Sequence, residues 1–117
     1  MDDNVKEAAI EALSRLAGHA ADDAYLPALY AHGYQAGRAG ARALKGSPRG
    51  SDVLAAALAA AQRLRGDLSE TSRDARLALL DRIAESAGAA NAGDVAALAA
   101  DFDCVVADSA AAIAMRL

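Results

Sequence analysis

The first amphipathic pattern in the chain lies between Asp3 and Gly18. At about 100° per residue, Val5, Ala9, Ile10, Leu13, Leu16, Ala17 and Ala20 share one face, while Glu7, Glu11, Ser14 and Asp22 share the other. Asp3 or Asn4 caps this first helix and Gly18 ends it. Asp22 and Asp23 then cap a second helix running from about Tyr25 to Leu44, with Pro27 tolerated in its first turn and Gly46 at its end. Ser47-Pro48-Arg49-Gly50 reads as a turn.

A third helix begins at Ser51 or Asp52, carries Val53, Leu54, Ala57, Leu58, Ala61 and Leu64 on one face, and stops at Gly66. Thr71 or Ser72 caps a fourth, which groups Leu77, Leu80, Ile83, Ala84 and Ala87 and ends at Gly88. The fifth starts at Asp94 and runs nearly to the C-terminus, with Val95, Ala99, Phe102, Val106, Ile113 and Leu117 in line. Asp94, Asp101 and Asp108 recur along its outer side as an acidic ridge. The pattern predicts an all-α compact bundle of about five helices, joined by short loops and packed as antiparallel neighbours. No internal repeat of roughly 20 to 50 residues is visible.

Composition supports that reading. The 117 residues suit a single all-α domain over 1–117, and the 55% apolar share is mostly alanine and leucine, which favour helix. Aromatic residues are sparse (Tyr25, Tyr30, Tyr34 and Phe102). No charge-free apolar run is long enough to span a bilayer, and the acidic start Met1-Asp2-Asp3-Asn4 is unlike a signal peptide, so the expectation is a soluble cytoplasmic protein without membrane contact. Cys104 has no second cysteine to pair with and reads as a free thiol.

A net charge of −4 argues against general nucleic-acid binding, yet the charge is uneven. Between Ala24 and Gly66 there are six bases (Arg38, Arg42, Lys45, Arg49, Arg63 and Arg65) against one acid, Asp52; from Asp67 to Leu117 there are four bases against nine acids. The two segments are electrostatically complementary, within one chain or between two.

The stretch Gly33-Tyr34-Gln35-Ala36-Gly37-Arg38-Ala39-Gly40 matches neither the dinucleotide fingerprint nor the P-loop, and no strand precedes it. On a helical wheel Gly33, Gly37 and Gly40 fall within about 60° of one another, which predicts a smooth stripe for close helix packing. Arg38, Arg42 and Lys45 form a second stripe on the opposite side, with Gln35 and His32 beside it and Arg49 just past the helix end. Guanidinium groups so placed suit an acidic partner or an anionic ligand.

Other constellations are less compelling. His19, Asp22 and Asp23, with His32 nearby, carry metal-capable atoms, but the aspartates are already expected as caps; Asp101, Cys104 and Asp108 lack a histidine. No metal or other cofactor is expected. No motif surrounds Cys104 or either histidine, so no catalytic residue is assigned.

Arg42-Ala43-Leu44-Lys45-Gly46-Ser47 resembles the H-x-L-K-G-S signature of histidine phosphotransfer domains, which are helical bundles of about this size. In that resemblance Arg42 stands at the position of the phosphorylated histidine, which implies a non-phosphorylated adaptor on a helix that continues past Ser47. From the residues themselves, the expected function is a non-catalytic interaction or regulatory module, as a homodimer with a further protein partner. Dimerisation rests on the complementary charges and on the wide alanine faces of the third and fifth helices. The alternative is a ligand-binding or enzymatic domain using the same Arg38, Arg42 and Lys45 surface with Tyr34 or Tyr30 beside it.

Overall fold

Two of the long helices expected from the sequence are broken in the computed structural model, which describes residues 2–31, 33–65 and 72–117. Those residues form α1 (Asp3–Ala17), α2 (Asp22–Leu29), α3 (Tyr34–Ala43), α4 (Gly50–Leu64), α5 (Ser72–Ser86), α6 (Ala92–Ala97) and α7 (Cys104–Met115), with 3₁₀ turns at Gly18–Ala21, Ala89–Asn91 and Leu98–Ala100. No strand occurs among the described residues, and no helix is long and apolar enough to cross a membrane. Gly66 and Thr71, expected at helix boundaries, lie outside them, as does His32.

The first break corrects the single Tyr25–Leu44 helix. The amides of Tyr30 and Ala31 bond to the carbonyls of Pro27 and Ala28, tightening the end of α2, and Gly33 is extended at φ −77°, ψ 131°. α3 can start afresh because the Asp3 carboxylate, reaching across from α1, accepts the amides of Gln35 and Ala36 at 3.0 Å each. These are amides that a continuous helix would bond to its own preceding turn.

The second break divides the expected fifth helix. Asp103 caps α7 by accepting the Val105 amide at 2.9 Å and the Val106 amide at 3.3 Å. Asp101 accepts the Asp103 amide at 2.9 Å and lies 2.7 Å from Arg76 Nε. The acidic ridge therefore does not exist as a surface: Asp101 is buried, while Asp94 and Asp108 are exposed. Cap positions also shift. Asp2 precedes α1, and Asp22, Asp23 and Asp52 fall inside first turns, where their charge favours the helix dipole.

Helices α1, α3 and α5 lie side by side in one layer and run in the same direction. Asp3 meets Gln35 and Glu7 meets Arg38; the Ala41 carbonyl accepts from Arg82, and the Gly46 amide donates to Glu85. α2 and α4 cover that layer, giving a slab of 36 × 30 × 17 Å. From α1 to α5 consecutive helices thus alternate between layers, and α1 packs chiefly on α3 instead of forming an antiparallel pair with α2.

The most extensive contact is α4 on α5. Val53, Ala56, Ala57, Ala60, Ala61 and Leu64 are buried from α4, and Ala75, Leu79, Leu80 and Ile83 from α5. Alanine on both α4 flanks lets the axes approach closely. Tyr25 is fully buried and donates its hydroxyl to the Gly18 carbonyl at 2.8 Å.

At the layer's free edge, α1 is turned the other way from the sequence expectation. Of its apolar face only Ile10 is buried and Leu13 is half-buried, while Val5 and Leu16 are 51% and 86% exposed. The polar edge with Asp3, Glu7 and Ser14 is half-buried against α3.

Candidate functional site

Asp3, Glu7 and Glu11 are four residues apart, so each is displaced from the last by about 40° and together they form one acidic edge of α1. α3 offers that edge its cationic features in matching order. Its N-terminal amides hold Asp3, and Arg38 donates from Nη2 to Glu7 Oε2 at 2.5 Å. Arg42 lines a cleft of about 230 Å³ with Glu11, Ser14, Arg15, Ala39 and Ala43. The Glu7 hydrogen bond holds the Arg38 pKa above its ordinary value, against the opposing effect of burial. Arg38 Nε is buried with no hydrogen-bond acceptor among the described residues.

Two glycines fit backbone to neighbours here. A Cβ on Gly40 would lie 3.0 Å from the Tyr25 carbonyl oxygen and 3.1 Å from the Ala28 Cβ, so the α2–α3 crossing is closest at Gly40. At Gly33 a Cβ would overlap the Asp3 carboxylate. Gly33 is thus an N-cap next to a carboxylate and no part of a helical stripe, whereas Gly37, with only the Ala28 carbonyl oxygen at 3.9 Å, has room for a methyl group.

The predicted basic stripe separates into committed and open parts. Gln35 contributes its amide to Asp3, and Arg38 is bound to Glu7. Arg49 is held by Asp23 and by Asp52, the latter at 2.9 Å, and these contacts, Asp52 first, raise its pKa. Arg42 and Lys45 are exposed, and neither side chain makes a hydrogen bond or ion pair among the described residues. On its α5 side Arg42 lines a second cleft of about 230 Å³ with Asp74, Leu77, Ala78, Asp81 and Arg82.

Sequence reasoning missed the acidic edge because it assigned Glu7 and Glu11 to solvent. A signal was present: the four-residue spacing of Asp3, Glu7 and Glu11 equals that of Arg38 and Arg42.

Across α1 from Arg42, an apolar groove of about 330 Å³ runs between α1 and α2, lined by Ala9, Ile10, Leu13, Pro27 and Ala28, with Lys6 at its edge. Among the described residues no ion pair joins the basic segment 24–66 to the acidic segment 67–117. Arg73 and Arg76 pair instead with Asp103 and Asp101, inside the acidic segment itself.

His19 shares a 3.0 Å hydrogen bond with buried Asp22, and the Ser47 hydroxyl donates to the other Asp22 oxygen at 2.6 Å. The carboxylate lies between serine and imidazole, so this trio ties the α3–α4 turn to α2 and does not align a nucleophile with a base. Arg76 lies 4.7 Å from the centroid of Phe102, an arrangement suited to cation–π attraction above its contact with Asp101. Cys104 is exposed at the first position of α7.

Comparison with protein-family models, with curated protein sequences and with solved structures finds no match. The phosphotransfer-like hexapeptide also differs in setting, since α3 ends at Ala43 and Leu44–Gly46 form a turn.

Proposed function

We propose that the protein is a non-catalytic interaction module that holds an acidic partner segment along α3. One observation supports this above others: α3 already accommodates carboxylates at helical spacing, and its open end keeps Arg42 and Lys45 uncommitted. Charge-assisted contacts of this kind set specificity and encounter rate more than raw affinity. The test is fluorescence anisotropy with a labelled alanine–leucine helix carrying glutamate at every fourth position. Changing Arg42 and Lys45 together to alanine is expected to weaken binding by about tenfold, equal to ~1.4 kcal/mol. Unchanged binding refutes the reading.

A second reading, a homodimer, is favoured by the outward Val5 and Leu16 beside the α1–α2 groove. Sedimentation equilibrium of wild type and Leu16→Glu tests it: a dimer that the substitution dissociates supports the reading, and a monomeric wild type rejects it.

A further inference from the structure

We infer that the α3 face beneath α1 is a docking surface for an acidic amphipathic helix of a partner protein, and that α1 is its resident stand-in, swung aside when the partner arrives. The inference rests on the acidic-partner reading and adds what the partner looks like and what it displaces.

α1 has the chemistry of such a ligand. Its Asp3 takes two amides of α3 and its Glu7 takes Arg38, with Glu11 next in line beside Arg42. A partner helix running parallel to α3 with carboxylates four residues apart would make the same contacts. It would also improve on them: Glu7 engages only Nη2 of Arg38 and leaves the buried Nε without an acceptor, whereas a carboxylate set side-on accepts from both.

α1 is also held mainly by a single neighbouring helix. Ile10 is its sole buried residue, and its extensive contacts are confined to α3 and the 3₁₀ turn that follows it. Val5 and Leu16 on its apolar face are already exposed, so the side chains that its release uncovers are chiefly Ile10, half-buried Leu13 and the α3 face beneath them. Segments with few buried apolar contacts open at low free energy, well below global unfolding. At the junction Gly18 adopts φ 54°, a conformation few other residues accept, and it is exposed, with open space around its Cα. A partner helix with larger apolar residues than Ala9 would fill the groove of about 330 Å³ that α1 leaves against α2.

Because α1 is tethered, it competes at a high effective concentration, and weakening it strengthens the partner. The glutamate-every-fourth helix is therefore titrated into full-length wild type and into the Asp3→Ala/Glu7→Ala variant, which is expected to bind it at least about tenfold more tightly. Hydrogen exchange of the wild type is the companion measurement, with α1 amides exchanging ahead of those of α4 and α5, and faster still when the peptide is added. Equal affinity for the two proteins overturns the displacement, as does exchange of α1 only together with α4 and α5, whatever the fold of the variant. If the peptide binds both proteins equally and Arg42→Ala weakens it, the acidic-partner reading stands and displacement alone falls. If it binds neither, both fall.

Discussion

α1 and α5 are both fifteen residues long, and the sequence ranks them the wrong way round. α1 has the cleaner apolar stripe yet buries Ile10 alone, while α5 buries Ala75, Arg76, Ala78, Leu79, Leu80, Arg82 and Ile83. The difference is one of neighbours. α5 is flanked by α3, α4 and α7, so most of its circumference faces protein and Asp74, Asp81 and Ala84 mark its open side, whereas α1 has one long helix, α3, against it. Amphipathicity records that a helix has two unlike faces, and position in the layer decides which face is covered.

α5 also shows how a crowded helix accommodates charge. Its buried Arg76 reaches Asp101, and Arg82 donates to the Ala41 carbonyl at 3.1 Å and lies 3.4 Å from Glu85. Both arginines thereby link α5 to another segment, Arg76 to the end of the Leu98–Ala100 turn and Arg82 to α3. α1, by contrast, meets the rest of the molecule largely through carboxylates.

The largest effect is expected where this contrast is sharpest. Leu79 is fully buried in α5, so Leu79→Ala should destabilise the protein by about 2–5 kcal/mol, through lost transfer energy and the cavity left behind. Leu16→Ala on α1 should change stability by less than ~0.5 kcal/mol. Urea denaturation of the two variants measures both, and a comparable loss from Leu16→Ala would mean that α1 is covered in solution.

Next in size is the crossing that sets α3 against α2. Gly40→Leu should destabilise by roughly 1–3 kcal/mol, because the side chain has the Tyr25 carbonyl and Ala28 in its way. Gly37→Ala should be neutral or slightly stabilising, since its methyl group meets only ordinary contact and alanine favours helix by about 1 kcal/mol over glycine. Thermal melts of the pair identify which glycine carries the close approach.

Helix content, the turn near Ser47 and part of the α4 core face (Val53, Ala57, Ala61 and Leu64) could be read from the sequence because caps, glycines and apolar spacing are local signals. Ala56 and Ala60, outside the expected face, are buried, whereas Leu54 and Leu58 are only half-buried. The break before Tyr34 could not be read, because it depends on Asp3, a residue far off in the chain that supplies the acceptor for the amides of Gln35 and Ala36. The same holds at Asp101, whose spacing with Asp94 and Asp108 suggested an exposed ridge until Arg76 is placed beside it. For the candidate site, Arg38, Arg42 and Lys45 were recognised as a stripe, but wheel geometry carries no information about which helix lies opposite. Glu7 and Arg38 each appear solvent-facing when their helices are considered separately, and only the tertiary arrangement brings them together.

The smallest effect is expected from Asp103, and it tests whether polar ties yield before the α4–α5 core does. Its carboxyl pKa is held below the ordinary value first by the hydrogen bond from Arg73 and then by the Val106 and Val105 amides, with partial desolvation opposing. A depressed folded-state pKa means that the stabilisation is fully present above the unfolded-state value and is lost as pH falls through the lower, folded-state value. Loss therefore begins in the mildly acidic carboxylate range and deepens with further acidification. Asp103→Asn retains a good N-cap residue but gives up the charge that Arg73 engages. The variant should be slightly less stable than wild type near neutral pH, with the difference shrinking as pH is lowered, and its urea midpoint should depend less on pH below about 5. Denaturation midpoints at a series of acidic pH values for both proteins provide the measurement. Parallel curves would show that the Asp103 carboxylate contributes nothing beyond capping.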